Sequence, residues 1–259
     1  MKGMFCAAIL ENRRIAEDVF DMRLKCEAAK TAAAGQFAAV YTNNPATLLP
    51  RPLSICEIDK ISETLRIVYR VAGKGTLDLS KAREGGELRL LAPLGNGFSL
   101  DLTHKNFVVA GGGIGVPPLL ELVKKIRGEI ENTKITVCLG FRGSKDVILE
   151  QDFARYADIV QVSTDDGTYG TSANVVDMLI QLDIKPDAAY GCGPKVMLQN
   201  FAKWAADLST VCYVSLEERM ACSVGACLAC VVKTRKDGGV AQARVCYDGP
   251  IFNAKELTW

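Results

Sequence analysis

The sequence predicts a six-stranded antiparallel β-barrel, a parallel-sheet α/β domain and a short C-terminal segment. Three observations lead to this fold class. Short β-like runs fill the chain up to about residue 95, strands alternate with helices from Asn106 onward, and regular periodicity is lost after Leu216. A chain of 259 residues suits about two domains of roughly 100–200 residues each. We predict boundaries of 1–98, 99–216 and 217–259.

The N-terminal strands are predicted from apolar runs bounded by turn residues, with no long helix between them. This spacing favours a small antiparallel barrel. The six runs are Met4–Leu10, Val19–Cys26, Gln36–Tyr41, Leu53–Ile58, Leu65–Val71 and Glu87–Leu91. Pro93, Gly95 and Gly97 then predict a link between domains.

The second half alternates strands and helices, which indicates βαβ units and a parallel sheet covered by helices. The predicted strands are Phe107–Ala110, Ile135–Phe141, Ile159–Ser163, Ala188–Tyr190 and Val211–Ser215. The predicted helices are Pro117–Ile130, Leu149–Tyr156, Ala173–Leu182 and Val196–Ala206. Near the C-terminus we expect a hairpin of Cys230–Lys233 and Arg244–Tyr247.

Composition excludes several classes of partner. A net charge of +1 gives no basic surface for nucleic acid, and the longest apolar stretch, Phe107–Val123, contains glycines, prolines and Glu121, unlike a membrane span. Met1–Arg14 lacks the apolar core of a signal peptide. Six scattered cysteines in mostly apolar runs are typical of reduced thiols: Cys6, Cys26, Cys56, Cys138, Cys192 and Cys212. We therefore expect a cytoplasmic protein that binds neither nucleic acid nor membrane.

The other four cysteines, Cys222, Cys227, Cys230 and Cys246, have the spacing C-x4-C-x2-C followed by a distant fourth cysteine. This is the ligand pattern of a plant-type [2Fe–2S] cluster. Small residues between them allow the backbone to curl and direct N–H groups at the sulfurs. A structural zinc site is the alternative, although zinc ribbons usually carry two C-x2-C pairs. The pattern predicts transfer of single electrons near the C-terminus.

Two glycine motifs follow strands of the α/β half. Gly112, Gly113 and Gly115 follow the first strand, and Gly193-Pro194 follows a later one. Glycines allow close backbone approach to a phosphate, and ligands in open parallel sheets lie beyond the carboxyl ends of the strands. Because both motifs fall on that edge, they predict a dinucleotide site. The first motif departs from G-x-G-x-x-G and, taken alone, also fits a tight turn without a ligand.

The barrel half carries two further motifs, Arg51-Pro-Leu-Ser54 and the run Tyr69–Thr76. An arginine suits a pyrophosphate, a hydroxyl can bond a flavin ring nitrogen, and Gly75-Thr76 offers backbone and hydroxyl donors. The residues alone fit equally well a strand that begins at a proline and a helix N-cap at Thr76.

Together these motifs resemble the ferredoxin–NADP reductase superfamily, in which a barrel carries flavin and an α/β domain carries a nicotinamide nucleotide. With the C-terminal cysteines, nearly the whole chain resembles the electron-transfer subunits of bacterial class 1B dihydroorotate dehydrogenases. The resemblance implies a [2Fe–2S] cluster held by the four cysteines, FAD, and NAD as electron acceptor. The implied partner is an FMN-containing catalytic subunit, in a heterotetramer with two copies of each chain.

The resemblance also assigns roles to individual residues. It implies that FAD is lined by Arg51, Pro52, Leu53, Ser54, Val68, Tyr69 and Arg70, with Gly75 and Thr76 at its pyrophosphate. It implies that the nicotinamide nucleotide faces Gly112, Gly113, Gly115, Cys192, Gly193 and Pro194. Ser54 and Cys192 are the residues expected to tune and position hydride transfer. Ser223 stands where the family commonly has glycine.

Three questions stay open at the level of sequence. Arg142 and Lys145 follow the second α/β strand and suit a 2′-phosphate, so NADP remains an alternative to NAD. The same modules also occur in other NAD(P)-linked complexes, such as a ferredoxin:NADP oxidoreductase or a sulfhydrogenase. A zinc-bearing scaffold that binds nucleotide without turnover is a third reading of the cysteines.

Overall fold

The computed structural model describes residues 2–236 and 238–259. Its first half is an antiparallel sheet with strand order β4-β3-β7-β1-β2-β6-β5. The strands are β1 (Gly3–Ala16), β2 (Val19–Lys25), β3 (Phe37–Tyr41), β4 (Arg51–Ser54), β5 (Glu57–Asp59), β6 (Thr64–Arg70) and β7 (Glu87–Leu94). A short helix, α1 (Lys74–Ser80), follows β6, and a 3₁₀ turn, Glu27–Lys30, follows β2.

The predicted strand Leu53–Ile58 is wrong as a single element, because the chain leaves one edge of the sheet and joins the other within it. The Ile55 N–H donates to the Gln36 carbonyl at 3.0 Å, and the Cys56 N–H donates to the Arg66 carbonyl at 2.8 Å. The edge strands β4 and β5 are thus consecutive in the chain, and the sheet curls round on itself. The predicted antiparallel barrel is confirmed, with seven strands among the described residues instead of six.

The second sheet is parallel apart from its last strand, in the order β11-β10-β9-β8-β12-β13-β16. Its strands are β8 (Asn106–Gly112), β9 (Lys134–Phe141), β10 (Ile159–Thr164), β11 (Thr171–Ser172), β12 (Ala188–Cys192), β13 (Val211–Ser215) and β16 (Ile251–Asn253). The accompanying helices are α2 (Leu120–Glu129), α3 (Glu150–Phe153), α4 (Val175–Gln181) and α5 (Lys195–Asp207). Short 3₁₀ turns are Gly113–Gly115, Pro117–Leu119, Ser144–Asp146 and Ala254–Glu256. The alternation predicted from sequence is confirmed.

The C-terminal segment contains a hairpin and returns to the second sheet, but the predicted second strand, Arg244–Tyr247, is wrong because the chain turns at residues 245–248 and the pairing strand precedes that turn. β14 (Val231–Lys236) pairs with β15 (Gly239–Arg244), and β16 then lies antiparallel to β13. Within the described ranges, no helix is both long and apolar enough to cross a membrane.

A buried charge cluster joins the barrel to the α/β half. Arg66 on β6 donates to both carboxylate oxygens of Asp21 at 3.0 and 2.9 Å, and to Asp152 on α3 at 2.9 Å. Glu121 on α2 accepts the Ile58 N–H at 2.8 Å. Because Arg66 and Asp21 are almost fully buried, these bonds act in a medium of low polarity. The cluster fixes the position of one half relative to the other.

Candidate redox site

The loop after β13 folds its backbone around the cysteine sulfurs. Cys222 Sγ accepts hydrogen bonds from three backbone N–H groups, those of Val224 at 3.5 Å, Ala226 at 3.3 Å and Cys227 at 3.4 Å. Burial on its own raises the pKa of the Cys222 thiol, but these donors outweigh it and lower that pKa to about 6. The loop therefore favours the thiolate, which is the form that binds iron.

The four thiols form two pairs. The Cys222 side chain is hydrogen-bonded to Cys227, and the Cys246 side chain to Cys230. The Gly225 N–H donates to Cys246 Sγ at 3.1 Å. Across the described ranges, no three His, Cys, Asp or Glu side chains converge on one metal ion. Two thiol pairs fit a two-iron centre with two thiolates on each iron.

Left-handed backbone gives the loop its tight curl. Ser223 has φ of 60°, Gly225 86° and Leu228 57°. At Gly225 a Cβ would lie 2.9 Å from Tyr247 Cβ, so this position requires glycine. Arg244 holds the loop from the hairpin side, because its Nη1 donates to the Gly225 carbonyl at 3.2 Å and its Nε to Asp248 at 2.9 Å.

A cavity of about 300 Å³ lies between the barrel and the connection from β13 to the cysteine loop. The predicted flavin residues on its wall are Pro52, Leu53, Ser54, Val68, Tyr69, Arg70 and Thr76. The Tyr69 ring is buried, and its hydroxyl donates to Asn12 at 3.2 Å. We therefore infer that Tyr69 lines the cavity with its backbone. The opposite wall is formed by Ser215, Leu216, Glu217, Glu218 and Met220.

Arg51 and Gly75 line an adjoining cavity of about 800 Å³, together with Thr76, Lys74 and Arg219. The Arg51 guanidinium lies against Gly75 so closely that a Cβ there would overlap it. The Thr76 hydroxyl accepts the N–H groups of Ala72 and Gly73 at 2.9 and 3.2 Å and donates to the Gly73 carbonyl, so it is used within the turn. Two joined cavities, the larger with Arg51 and Arg219 at its wall, fit a flavin nucleotide.

A third cavity of about 290 Å³ lies at the carboxyl edge of the parallel sheet. The predicted nucleotide residues on its wall are Gly112, Gly113, Gly115, Gly193 and Pro194. At Gly115 a Cβ would come within 2.6 Å of the Cys192 carbonyl. The two glycine motifs therefore touch only because Gly115 has no side chain. Arg142 and Asp165 line the same cavity. This backbone-lined cradle fits the phosphates of a dinucleotide.

Cys192 differs from its predicted neighbours. Its side chain is buried, with only 1% exposed, and burial raises the pKa of its thiol. The thiol is hydrogen-bonded to Ser215, which lines the flavin cavity, whereas Gly193 and Pro194 form the wall of the nucleotide cavity. A direct role for Cys192 or Ser54 in hydride transfer stays a prediction.

The flavin and nucleotide cavities meet at Arg70, Ile114 and Glu217, which line both. Ile114, Glu217 and the rest of the connection from β13 were not identified from the sequence. One signal could have located this connection, since it begins at the carboxyl end of a parallel strand, where ligands of open sheets lie. Met220 on this wall stands two residues before Cys222, so the flavin cavity and the cluster loop are adjacent.

The fold and the cofactor sites can be compared with known proteins. A chain of an NADH-dependent reduced ferredoxin–NADP oxidoreductase, solved in a study of flavin-based electron bifurcation, superimposes with a TM-score of 0.86 and 29% identity. That match covers 98% of this chain and 90% of the other. The architecture is thus that of the ferredoxin–NADP reductase class.

Sequence comparison narrows the class to a family. Residues 217–258 match the iron–sulfur cluster binding domain of dihydroorotate dehydrogenase B. The dihydroorotate dehydrogenase B (NAD(+)) electron transfer subunit of Listeria monocytogenes serotype 4a is 40% identical over 96% of this chain and 97% of its own length. The subunit of the same name from Caldanaerobacter subterraneus subsp. tengcongensis is 37% identical over 99% of both chains. The chain belongs to the family of dihydroorotate dehydrogenase B electron transfer subunits, which confirms the resemblance found in the sequence.

Proposed function

We propose that this chain transfers electrons from dihydroorotate oxidation to NAD⁺ in pyrimidine biosynthesis. Electrons enter at the [2Fe–2S] centre, pass to FAD and leave as hydride to NAD⁺. One observation carries the proposal: the connection between β13 and Cys222 is a wall of the flavin cavity, and Glu217 on it also lines the nucleotide cavity. The three sites are thereby joined in the order that a relay requires.

The chain's own residues bind the cofactors and hold them at separate sites. Bound FAD exchanges single electrons with the cluster and a hydride with the nicotinamide. Pro52, Leu53 and Ser54 hold one side of the flavin cavity, and Arg51 lies where the pyrophosphate would bind. The glycines at 112, 113, 115 and 193 admit the dinucleotide backbone. The N–H groups around Cys222 and Cys246 stabilise charge on the cluster.

The proposed partner is an FMN-containing catalytic subunit, in a heterotetramer with two copies of each chain. The surface around the cluster supports this docking position. Cys227 is exposed, and the side chains of Val224, Leu228 and Tyr247 nearby are 45%, 62% and 49% exposed. An apolar surface around an electron entry point fits a partner that covers it. We place the complex in the cytoplasm, which is consistent with ten cysteines that form no disulfide among the described residues.

A second candidate is electron exchange between ferredoxin and NAD(P) in another complex. The observation that favours it is the close structural match to the ferredoxin–NADP oxidoreductase chain. Arg142 in the nucleotide cavity is also compatible with a 2′-phosphate.

Co-purification from the native host, followed by an assay with dihydroorotate and NAD⁺, tests the proposal. We expect an FMN-containing subunit to co-purify and NADH to form at the expense of dihydroorotate. Replacing dihydroorotate by reduced ferredoxin, and NAD⁺ by NADP⁺, tests the second candidate in the same preparation. An unrelated partner without dihydroorotate oxidation would reject the pyrimidine assignment, while a cluster and flavin in that complex would leave the relay itself intact.

A further inference from the structure

One residue of the link between the domains binds the turn that carries the fourth cysteine. Asn96, two residues after the end of β7, donates its backbone N–H to the Gly249 carbonyl at 2.7 Å. Its side-chain amide donates to the Tyr247 carbonyl at 3.2 Å and to the Asp248 carbonyl at 2.9 Å. A single residue thus binds three consecutive carbonyls of what we call the fourth-cysteine turn (residues 245–250).

The N–H groups of the same three residues are bonded within the turn. Those of Tyr247, Asp248 and Gly249 all donate to the Arg244 carbonyl, at 3.1, 2.8 and 3.2 Å. Because both the N–H and the C=O groups of these residues have partners, the turn is held in one conformation. A displacement of the turn would therefore carry the sulfur of Cys246 with it.

The link and the fourth-cysteine turn are also in direct contact. At Gly95, which has φ of +73°, a Cβ would lie 2.6 Å from Pro250 Cδ and 3.0 Å from Phe37 Cε1, so the close approach requires glycine. Phe37, Leu94 and Cys246 belong to one buried core. Phe37 and Pro250 also line the flavin cavity. The contact couples the position of the turn to the wall of that cavity.

Asparagine suits this position because its amide nitrogen carries two donors, and both face carbonyl oxygens. Aspartate has the same shape, but it would place a carboxylate oxygen against those two carbonyls. Asn96 is exposed. Substitutions at exposed positions usually change the stability of the fold little, so the effect of this residue should be local.

The proposed relay needs a constant separation between the cluster and the flavin. For each electron that crosses, the cluster is oxidised by one electron and the flavin is reduced by one, and two crossings precede one hydride transfer. Since no bond forms or breaks in such a crossing, its rate depends chiefly on the potentials of the two groups and on the distance between them. Electronic coupling falls steeply with that distance, so a fixed turn favours a fast relay.

We propose that Asn96 is a positioning residue that sets the distance between the cluster and the flavin, and this inference rests on the proposed function. Asn96 acts through the fourth-cysteine turn, which it holds against the barrel that forms the flavin cavity. On the other side of the turn, the Leu216 N–H donates to the Pro250 carbonyl at 2.9 Å and binds it to the α/β half.

The test uses the full chain with FAD and the cluster bound, without the catalytic subunit, so that electrons pass between these two groups. A photoreductant supplies single electrons, and flavin absorbance follows the rate of transfer from the cluster. Asn96→Ala removes two of the three bonds to the turn. We expect the rate to fall about tenfold, since a misplacement on the order of 1 Å can strongly slow a reaction that depends on position.

Two further variants complete the series. Asn96→Asp should slow the transfer more than Asn96→Ala, because its carboxylate repels the turn. Asn43→Ala is the matched control. Asn43 is also exposed, and its amide donates to the Glu87 carbonyl at 2.9 Å, at the opposite end of β7. This variant should keep the wild-type rate.

Spectroscopy distinguishes an effect on distance from an effect on potential. When the cluster and the flavin each hold one unpaired electron, pulsed EPR measures the dipolar coupling between them, which depends on their separation. This coupling should weaken in Asn96→Ala and Asn96→Asp. An EPR redox titration should give the wild-type potential of the cluster, and the contents of iron, acid-labile sulfide and FAD should stay at the wild-type level.

Three results would overturn the proposal. They are a wild-type rate and coupling in both Asn96 variants, a slower rate with unchanged coupling, and loss of the cluster from both variants. In the last two cases Asn96 would act on the potential or on cluster assembly. Because none of these measurements uses dihydroorotate or NAD⁺, a complex that does not oxidise dihydroorotate would reject the proposed function and leave the role of Asn96 intact.

Discussion

The cysteine loop and the flavin cavity are adjacent, yet the chain forms them in different ways. The loop depends largely on one short stretch, in which backbone N–H groups two to five residues after Cys222 reach its sulfur. The flavin cavity needs β4, β6 and the connection after β13, which come from both halves of the chain. A local site should be sensitive to single backbone changes, whereas an assembled site should be sensitive to distant contacts that set the position of its walls.

Cys222→Ala should give the largest difference between the two sites. Cys222 is the sulfur with the most backbone donors, and its loss removes a cluster ligand. We expect loss of the cluster's EPR signal and visible absorption, with FAD retained. Cys138→Ala, which changes a buried cysteine on β9, should retain both cofactors. An unchanged EPR signal in Cys222→Ala would contradict the ligand assignment.

Arg66→Met should weaken the flavin cavity and leave the cysteine loop unchanged. The substitution leaves the buried Asp21 without its main partner and removes the bond to Asp152 on α3. Breaking a buried ion pair costs about 3–5 kcal/mol. We expect urea denaturation to show this loss, and FAD titration to show weaker binding, while the EPR signal of the cluster keeps its shape.

Arg155→Met is the matched control for Arg66→Met. Arg155 also lies near Asp152, but at 3.9 Å and with 67% of its side chain exposed. Such surface pairs contribute at most about 1 kcal/mol. Equal effects of the two substitutions would show that burial of Arg66 does not matter to the flavin site.

Gly225→Ala should damage the loop through its backbone. Alanine would have to adopt φ of +86° and would place its Cβ against Tyr247. Left-handed backbone costs about 1–2 kcal/mol for such a residue, and the clash displaces the N–H that donates to Cys246. We expect less iron and acid-labile sulfide per chain. Gly128→Ala on α2, where a Cβ meets nothing within 4 Å, should instead retain full iron content.

Ser223→Gly should produce the smallest effect, and it should stabilise the folded protein. Ser223 has φ of +60°, and its buried hydroxyl has no hydrogen-bond partner among the described residues. Glycine relieves this conformation, so thermal unfolding should show a gain of about 1 kcal/mol with the cluster retained. Destabilisation would mean that the hydroxyl makes a favourable contact with the assembled cluster.

The same contrast explains what could be predicted from the sequence. The cluster pattern lies within 25 consecutive residues, and the strand–helix alternation of the second half is also a local signal. The break at Ile55-Cys56 has no turn residue, because tertiary bonds to Gln36 and Arg66 create it. Arg66 meets Asp21 and Asp152 across 45 and 86 residues, and no local pattern marks such a pairing.

Glu217 was missed for a related reason. In the run Glu217-Glu218-Arg219 it looks like part of an ordinary solvated surface. Its position becomes evident only when β6, β12 and the C-terminal hairpin enclose it. The candidate cofactor residues of the barrel were found through family resemblance, since their own sequence fits a plain strand equally well.

EPR of the purified complex, frozen after mixing with dihydroorotate and again after addition of NAD⁺, tests the central claim most directly. The account predicts that the reduced [2Fe–2S] signal appears with dihydroorotate and disappears when NAD⁺ is converted to NADH. A cluster that stays oxidised while NADH forms at the full rate would contradict it, because electrons would then reach the flavin without passing through the four cysteines.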